Sequence, residues 1–420
     1  MPMQFNKQEV VAFEQSLEGF QDALTISKAF KKQTFDGTEA ERSGNTFWRP
    51  MPYIAQSFDG IDQSANFNRN YVQLSVPASL GYQKSVPLTL SATELRDQLQ
   101  EQRLGKAAMQ RLASDINVSC SNLAALTGTI VVKRPAAASG FDDLAAADYA
   151  MNRVGIDTSG RKSFIPSNHY NAMAGNLAQR QTVAGKTLTA YEKAAVGEIA
   201  GFDVRKLDYG YRLAAATATG VTVNGAAQSY VPKATSTAAT GELSNVDNRY
   251  QNLAVTVTGS TIKVGDAFTI AGVNEVHHIT KQDTGELKTF RVTGIVSGGG
   301  ASGVIQVSPP IIAAGATDGE KQYQNVTAAP ANGAAITFLN TTAGAVCPFW
   351  QDEAYEIIPG KYMPKEESGL AVMSATTDNG LTVVMTRQGD INALNTKYRW
   401  DVWYGLVNLQ PQMSGVIIFP

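Results

Sequence analysis

The longest helical pattern in this sequence lies between Ser91 and Gly128, and it limits the folds that the chain can adopt. Ser91 and Glu94 match a capping box, and no proline follows before Leu126. The apolar residues of this stretch recur at helical spacing: Leu95, Leu99, Ala108, Leu112, Ile116, Leu123 and Leu126. The pattern predicts a helix of roughly 35 residues, about 50 Å long, that ends at Gly128. Strict heptads are missing, which argues against a coiled coil.

An amphipathic arm is predicted over residues 1–40. Asn6 and Glu9 match a helix cap. We expect Gly19 to break or kink this helix, and a second short helix to end near Phe30. Its apolar stripe either packs into the core of this chain or docks on a neighbouring subunit or partner helix, and both readings stay open. The stripe is Val10, Phe13, Leu17, Phe20 and Leu24, and the opposite face carries Glu9, Glu14, Glu18 and Asp22.

Residues 41–90 are rich in Asn, Gln, Ser, Pro and aromatic residues, and they predict an extended β-hairpin arm with its lead-in. Two β-like runs, at 46–48 and 71–76, are separated by turn signals at Gly60 and around 66–70. The arm carries more aromatic rings than a projecting hairpin can bury within itself, so we predict that they contact another subunit. These rings belong to Phe47, Trp48, Tyr53, Phe58, Phe67 and Tyr71.

Three further regions follow the long helix, which is assigned to 91–128. Residues 129–216 alternate short strands and helices, which is α+β in character. From 217 to 342 the chain is rich in Thr, Val, Ala and Gly, and short strand patterns alternate with turn signals. This region predicts an inserted antiparallel β-barrel or sandwich. Residues 343–420 return to mixed character with several strand patterns.

The charge balance argues against a protein that grips nucleic acid. The 420 residues include 35 Lys and Arg against 37 Asp and Glu, for a net charge of -2. A nucleic-acid binder usually has a basic excess, so any DNA nearby is enclosed without specific contacts. No apolar run is long enough to span a bilayer and no secretion signal is visible, which predicts a cytoplasmic protein without a membrane role.

The reactive side chains give no catalytic or metal signature. Cys120 and Cys347 are far apart and lack metal-type spacing, so we predict two buried free thiols. His277 and His278 are adjacent near Glu275 and Asp283, but neighbouring strand residues point to opposite faces. His169 is expected at a helix start, in a capping or surface role.

Two other motifs have structural explanations. The glycines at 298–300 lack the lysine and the strand-to-helix setting of a phosphate loop, so they predict a hairpin tip. Asp142 and Asp143 are expected in a solvated loop or at a helix start. The sequence therefore predicts a protein that is not an enzyme, with no cofactor and no metal.

Six short stretches, in this order along the chain, resemble the coat proteins of short-tailed temperate phages of enteric bacteria. The order of segments also resembles the Hong Kong 97 type of phage coat fold, and the likeness covers nearly the whole chain. The stretches are 43–48 (SGNTFW), 200–203 (AGFD), 219–226 (TGVTVNGA), 245–250 (NVDNRY), 389–391 (GDI) and 403–405 (WYG).

This resemblance implies an α+β coat fold with an inserted β-barrel domain. The long helix would be the spine of a peripheral domain, and residues 129–216 with the return segment would form an axial domain. The resemblance further implies hexamers and pentamers in an icosahedral shell with a triangulation number of seven. Its partners would be itself, a scaffolding protein, a portal protein and packaged double-stranded DNA. The protein would be assembled in the host cytoplasm and located in the virion.

Charged residues add two hypotheses about contacts. In related coat proteins a loop of the inserted domain carries charges that pair across two-fold axes, but residues 234–242 here have almost no charge. Glu242 and Asp247 remain the candidates for that contact between capsomers. The acidic face of the arm, at Glu14 and Glu18, could attract a basic scaffolding helix.

Two other classes of protein stay open at this point. An encapsulin-like cargo shell shares the fold type, although the large β-insertion argues against it. A β-rich adhesin would explain residues 217–342 but neither the long helix nor the arm.

Overall fold

The structure is a computed structural model that describes residues 7–33, 46–52, 54–64, 66–67, 71–91, 98–179, 197–360, 370–378, 380–390 and 392–420. The chain forms two compact units. The first unit comprises Met1–Phe47, Ala78–Ser121 and Tyr355–Val407. The second unit comprises Trp48–Pro77, Asn122–Ala354 and Asn408–Pro420. Each unit is built from segments that are distant in sequence.

Five α-helices lie within these ranges, together with short 3-10 turns at Ser27–Ala29, Gly298–Gly300 and Pro411–Met413. The α-helices are α1 (Lys7–Ala23), α2 (Gln98–Thr127), α3 (Phe141–Val154), α4 (Ser167–Gln179) and α5 (Asp318–Tyr323).

The strands before the inserted region are β1 (Lys31–Lys32), β2 (Thr46–Pro50), β3 (Ser75–Ser79), β4 (Tyr82–Ser91), β5 (Ile130–Lys133), β6 (Arg161–Pro166), β7 (Gly197–Ile199), β8 (Phe202–Leu207) and β9 (Arg212–Leu213). The inserted region contains β10 (Thr222–Val223), β11 (Thr235–Thr237), β12 (Leu243–Asn245), β13 (Gln251–Thr256), β14 (Ala267–Val276), β15 (Asp283–Ile295), β16 (Gly303–Ser308) and β17 (Ile336–Phe338). The last strands are β18 (Gly344–Gln351), β19 (Tyr355–Gly360), β20 (Ala371–Thr376), β21 (Thr382–Asp390), β22 (Asn395–Asn408) and β23 (Ser414–Ile418).

Helix α1 belongs to the core of the first unit. Phe13, Phe20 and Leu24 of its apolar stripe are buried. The stripe is therefore covered by this chain, which favours the core reading over docking on another subunit. The helix continues through Gly19 to Ala23, so the predicted break at that glycine is wrong. Only a 3-10 turn follows, in place of a second short helix.

The sheet of the first unit has the strand order β1-β19-β22-β21-β20, and β4 also pairs with β22. Strand β4 runs antiparallel to β22 from Ser91 opposite Asn395 to Tyr82 opposite Tyr404. Residues 82–91 are thus part of this sheet and not of the hairpin arm to which 41–90 was assigned. Their alternating pattern of partly buried and exposed residues fits a strand with one face on the core.

The long helix is present as α2, which begins at Gln98 among the described residues and ends at Thr127. Its core face is buried at Leu112 and Ile116. Ser91 of the predicted capping box closes β4, and the rest of that box lies outside the described residues. Gly128 directly follows the last helical residue, as its position predicts.

A mixed sheet forms the core of the second unit. Its strand order is β5-β23-β18-β6-β8-β7, and β9 also pairs with β18. Strand β23 lies between β5, to which it is parallel, and β18, to which it is antiparallel. Helices α3 and α4 supply buried residues to the same apolar cluster as the sheet, including Leu144, Met151 and Met173.

The inserted region is a closed β-barrel. Six antiparallel strands follow the order β10-β13-β16-β15-β14-β17. The two edges join because the Ile336 N–H donates to the Val221 carbonyl and the Val223 N–H to the Ala334 carbonyl, each at 2.9 Å. Apolar side chains from all six strands fill the interior, including Phe268 and Phe290. Closure removes the exposed sheet edges that would otherwise invite aggregation.

Candidate assembly surfaces

The hairpin arm is the segment from β2 to β3, and it forms a separate two-stranded sheet. Alternation along β2 buries Phe47 and exposes Trp48 on the other face. On the turn side of the strands, the Met51 N–H donates to the Leu74 carbonyl at 2.9 Å, which holds the two sides of the arm together. Its strand ends differ from the predicted ones by a few residues.

The part of the arm between its strands and its turn, called its base here, packs on the inserted region within the second unit. Leu74 forms an apolar cluster with Ile312 and Tyr323, and Met51 and Ile54 pack against it. The Tyr323 hydroxyl donates to the Val72 carbonyl at 2.8 Å. These contacts fix the base of the arm on its own subunit.

The aromatic rings assigned to contacts between subunits are in different environments. Phe47 is only 5% exposed, so its ring is covered by this chain and that assignment is wrong for the conformation described. Trp48 is 39% exposed, Tyr71 42% and Phe67 85%. Phe58 is partly buried, and Tyr53 lies outside the described residues. Ile61, near the turn of the arm, is fully exposed and was missed because single aliphatic residues in a loop give no pattern.

The acidic face of α1 is exposed. Glu14 and Glu18 are one helical turn apart and both face solvent in this chain. Glu9, on the same helix, behaves differently because its carboxylate forms an ion pair with Arg387 of β21. The two exposed carboxylates therefore form a small negative surface, while Glu9 helps to hold the helix on its sheet.

The loop of the inserted region forms a small hairpin on the barrel. Strands β11 and β12 pair with Thr235 opposite Asn245, and all their residues are exposed. Glu242 is exposed beside Leu243, whose side chain is 69% exposed. The tip thus offers one carboxylate and one apolar side chain to a neighbour.

Asp247 is occupied within its own subunit. Its carboxylate accepts hydrogen bonds from Arg249 Nε at 2.9 Å and Nη2 at 2.6 Å. Arg249 Nη1 also donates to the Asn408 carbonyl at 2.8 Å. Asp247 therefore orients an arginine that ties the barrel to the C-terminal segment of the second unit, and Glu242 is the stronger candidate for a contact between capsomers.

Asp143 lies at the start of α3, as predicted, but it is buried and not solvated. Its carboxylate accepts from Arg134 Nε at 2.7 Å and from the backbone N–H groups of Ser139 at 2.6 Å and Gly140 at 3.1 Å. Asp142 is exposed. The two carboxylates are therefore in different environments and do not form an acid–base pair.

The histidines are held in structural positions. His277 and His278 lie in the turn between β14 and β15, where the His277 ring accepts the N–H groups of Ile279 and Thr280. The ring of His169 packs against that of Phe419 at a tilt of 31°, with ring centroids 4.7 Å apart, and burial lowers the pKa of its imidazole. Among the described residues, no three His, Cys, Asp or Glu side chains are placed to hold a metal ion.

The remaining motifs are also structural. The glycines at 298–300 form the turn between the antiparallel strands β15 and β16, which confirms a hairpin connection. Cys120 and Cys347 are buried free thiols, and burial raises the pKa of both. In the part of the chain that the structure describes, no helix is long and apolar enough to cross a membrane.

Two solved phage structures align with this chain over most of its length, although their sequences are distant. One from Mycobacterium phage Che8 has a TM-score of 0.44 at 9% identity and covers 94% of this chain and 90% of that chain. The capsid structure of cyanophage P-SCSP1u has a TM-score of 0.42 at 12% identity, over 93% and 86%. The CUS-3 coat protein I-domain is 41% identical over 29% of this chain and 95% of its own, with a TM-score of 0.23.

The comparison with protein families covers the whole sequence. The family described as P22 coat protein, gene protein 5, matches residues 1–420. The arm, the long helix, the mixed sheet and the inserted barrel described above are consistent with that match. The chain therefore belongs to the P22 coat protein family, and it is an α+β coat protein of a tailed phage.

Proposed function

We propose that this coat protein forms the hexamers and pentamers of an icosahedral T = 7 shell. Assembly proceeds in the host cytoplasm through a procapsid that contains a scaffolding protein and a portal. The observation that carries this proposal is the hairpin arm, whose base is fixed on its own subunit while Trp48 and Phe67 stay 39% and 85% exposed. Exposed aromatic rings on an anchored arm suit contacts with a neighbour that are weak singly and strong together.

Expression of the chain with and without a scaffolding protein tests this proposal. We expect electron microscopy to show uniform closed shells when the scaffolding protein is present and irregular particles when it is absent. Monomers under both conditions would contradict shell formation and favour a β-rich binding protein. Uniform shells that form without scaffolding and enclose a cargo protein would instead indicate an encapsulin-like compartment.

The acidic face of α1 is the proposed contact for the scaffolding protein. Glu14 and Glu18 are exposed, while the apolar stripe of the helix is buried, so charge is what this face offers to a partner. Charge complementarity of this kind selects partners and speeds their encounter more than it adds affinity. A basic helix of the scaffolding protein is the partner that fits.

Reversal of these charges is the corresponding test. Glu14→Lys with Glu18→Lys should lower scaffolding retention in procapsids several-fold, with the largest loss at low salt because screening is weak there. Asp208→Lys with Glu286→Lys, the same change of charge at two exposed sites outside the proposed contacts, is the control and should leave retention unchanged. Equal retention in the α1 variant and the wild type would rule out this contact.

The packaged double-stranded DNA is enclosed and not gripped. The net charge of -2 gives the subunit no general attraction for phosphate. We infer that the protein has no enzymatic role, because the family that matches its whole length is a family of coat proteins. A DNA that is held only by confinement can be pumped in and released without breaking specific contacts.

A further inference from the structure

A small cavity in the second unit lies where three separate segments meet. The base of the hairpin arm contributes Leu74, the inserted region contributes His278, Ile312 and Tyr323, and the C-terminal segment contributes Gln410. The cavity volume that is open to the centre of a water molecule is about 30 Å³. One water molecule needs roughly 10–15 Å³ of such volume, so the cavity has room for about two.

Two buried polar atoms at this cavity have no hydrogen-bond partner among the described residues. They are His278 Nε2 and Gln410 Oε1, on side chains that are 8% and 4% exposed. A buried polar atom without a partner is costly, and in folded proteins such atoms are usually satisfied by ordered water. The chemistry of the site thus suits water, which can bridge a ring nitrogen and an amide oxygen.

Lys288, whose positive charge acts on His278, belongs to a buried network of charges. The carboxylate at the centre of this network is Glu275, which binds two cations. Lys288 Nζ lies 3.0 Å from its Oε1 atom, and Arg153 Nη2 lies 2.8 Å from its Oε2 atom. Glu275 and Lys288 are both buried, so this network has one negative and two positive charges. A proton on His278 would add a further cation.

The other groups that face His278 act mainly in the same direction. Burial is the largest effect and lowers the pKa of His278 well below its usual value, and the positive charges of Lys288 and Lys281 lower it further. The Gln412 side chain, which also accepts from Lys288 Nζ at 3.3 Å, opposes this shift. The backbone N–H of His278 donates to the Val154 carbonyl at 2.9 Å, so the residue is fixed in place.

We propose that this cavity is a hydrated, acid-sensitive junction, in which water joins neutral His278 to Gln410 and which opens locally when His278 takes up a proton. Opening would release the base of the hairpin arm and the C-terminal segment from the inserted region. The junction would thus make the attachment of the arm depend on pH within a single subunit.

The direction of the pH effect follows from the protonation states. In the closed junction His278 stays neutral, while in the open state it titrates near its usual value of about 6.5. The open state therefore binds more protons below that pH, and acid favours it. The equilibrium constant for opening should rise by up to roughly tenfold for each pH unit below about 6.5.

Hydrogen exchange of the assembled shell or the full-length subunit measures this opening. After correction for intrinsic exchange, amides in residues 276–282 and 410–413 should open more as the pH falls from about 7.5 to about 5. His278→Gln keeps a polar side chain but cannot titrate, so its opening in these segments should not depend on pH. His169→Gln removes the other imidazole with a lowered pKa and should keep the wild-type response. An unchanged pH response in His278→Gln would overturn the proposal.

A second measurement does not depend on how well the variant folds. Exchange of the imidazole C2 hydrogen, followed by mass spectrometry of the wild-type protein, reports the titration of each of the three histidines separately. His278 should exchange slowly and show no titration near pH 6.5, unlike the same residue in denaturant. Titration of His278 at its usual pKa in the folded protein would also overturn the proposal.

Discussion

Asp143 shows how one buried charge can organise a local structure. Its carboxylate is 1% exposed, and it joins Arg134, after β5, to the N–H groups that open helix α3. An anion suits this position because the first N–H groups of a helix lack partners within the helix and carry partial positive charge. The side chain therefore acts as an anchor between a strand and the helix that follows it.

Replacement of this anchor should destabilise the subunit. Asp143→Asn removes the charge, leaves Arg134 without its partner and turns one accepting oxygen into a donor. We expect a loss of about 2–4 kcal/mol in the free energy of unfolding, measured by urea denaturation of unassembled subunits. Asp142→Asn is the matched control, because that side chain is exposed and its loss should change stability by less than about 0.5 kcal/mol. Equal effects of the two variants would contradict the role given to Asp143.

Only some of the contacts of these individual residues can be predicted from the sequence. The pair Asp142 and Asp143 was correctly expected at a helix start, because acidic residues in a first turn are a local signal. The burial of Asp143 depends on Arg134 and on the fold around it, which no local pattern contains. His278 is a similar case, since its cavity is formed by segments far apart in the sequence.

At the scale of elements, helix α1 continues through a glycine. Nothing lies within 4 Å of the position that a Cβ atom on Gly19 would take, so space does not require glycine there. Packing of Phe13 and Phe20 on the first unit, together with the ion pair of Glu9 and Arg387, holds the helix across this weak point. Tertiary contacts thus outweigh the low helix propensity of glycine.

Gly19→Ala should therefore stabilise the coat protein subunit. Alanine is favoured over glycine inside a helix by roughly 0.5–1 kcal/mol, and the added methyl group meets no neighbour. The gain should appear as a higher midpoint in thermal or urea unfolding of the subunit. A lower midpoint would show that the helix is strained or interrupted at this position.

Gly155 provides a contrasting control for that prediction. It ends α3 with φ +87°, and a Cβ atom there would approach His277 Cε1 to 2.5 Å. Gly155→Ala should lower the unfolding midpoint, because it adds a clash to the cost of a left-handed backbone. A higher unfolding midpoint for Gly19→Ala and a lower one for Gly155→Ala would show that glycine is dispensable at the first position and required at the second.

The sequence predicts elements well and pairings poorly. The long helix, the strands of the inserted region and the apolar return strands follow from residue periodicity, which is a local property. The parallel pairing of β5 with β23, and the closing of the barrel between β10 and β17, join distant segments and have no local signal. The same limit explains why the pattern of residues 82–90 predicts part of the arm, although these residues pair with β22.

At the scale of the whole molecule, neighbouring residues of β2 serve different purposes. Phe47 is buried and stabilises its own subunit, whereas Trp48 is exposed on the opposite face. A shell subunit needs both kinds of residue, because the arm must be held rigidly on its own subunit and must also bind a neighbour. Preorganisation of this kind lowers the entropy lost on association.

Trp48→Ala should impair shell assembly and leave the subunit folded. Loss of a buried tryptophan at an interface costs about 2 kcal/mol or more per contact, and the shell repeats the contact many times. We expect a higher critical concentration for assembly in light scattering, with little change in the urea midpoint of the subunit. Phe47→Ala is the contrast and should lower that midpoint. Normal shell formation by the Trp48→Ala variant would contradict the proposed role of the arm.

The position of β23 has a consequence for biosynthesis. This strand lies inside the mixed sheet, between the edge strand β5 and β18, and it is translated long after β5. The strands of the barrel lie close together in sequence and carry their own core, so this region can fold while the chain is still on the ribosome. The sheet that completes the subunit must wait for residues 414–418. A nascent coat protein therefore stays incompetent for assembly until residues 414–418 have been made, which keeps shorter chains out of the shell.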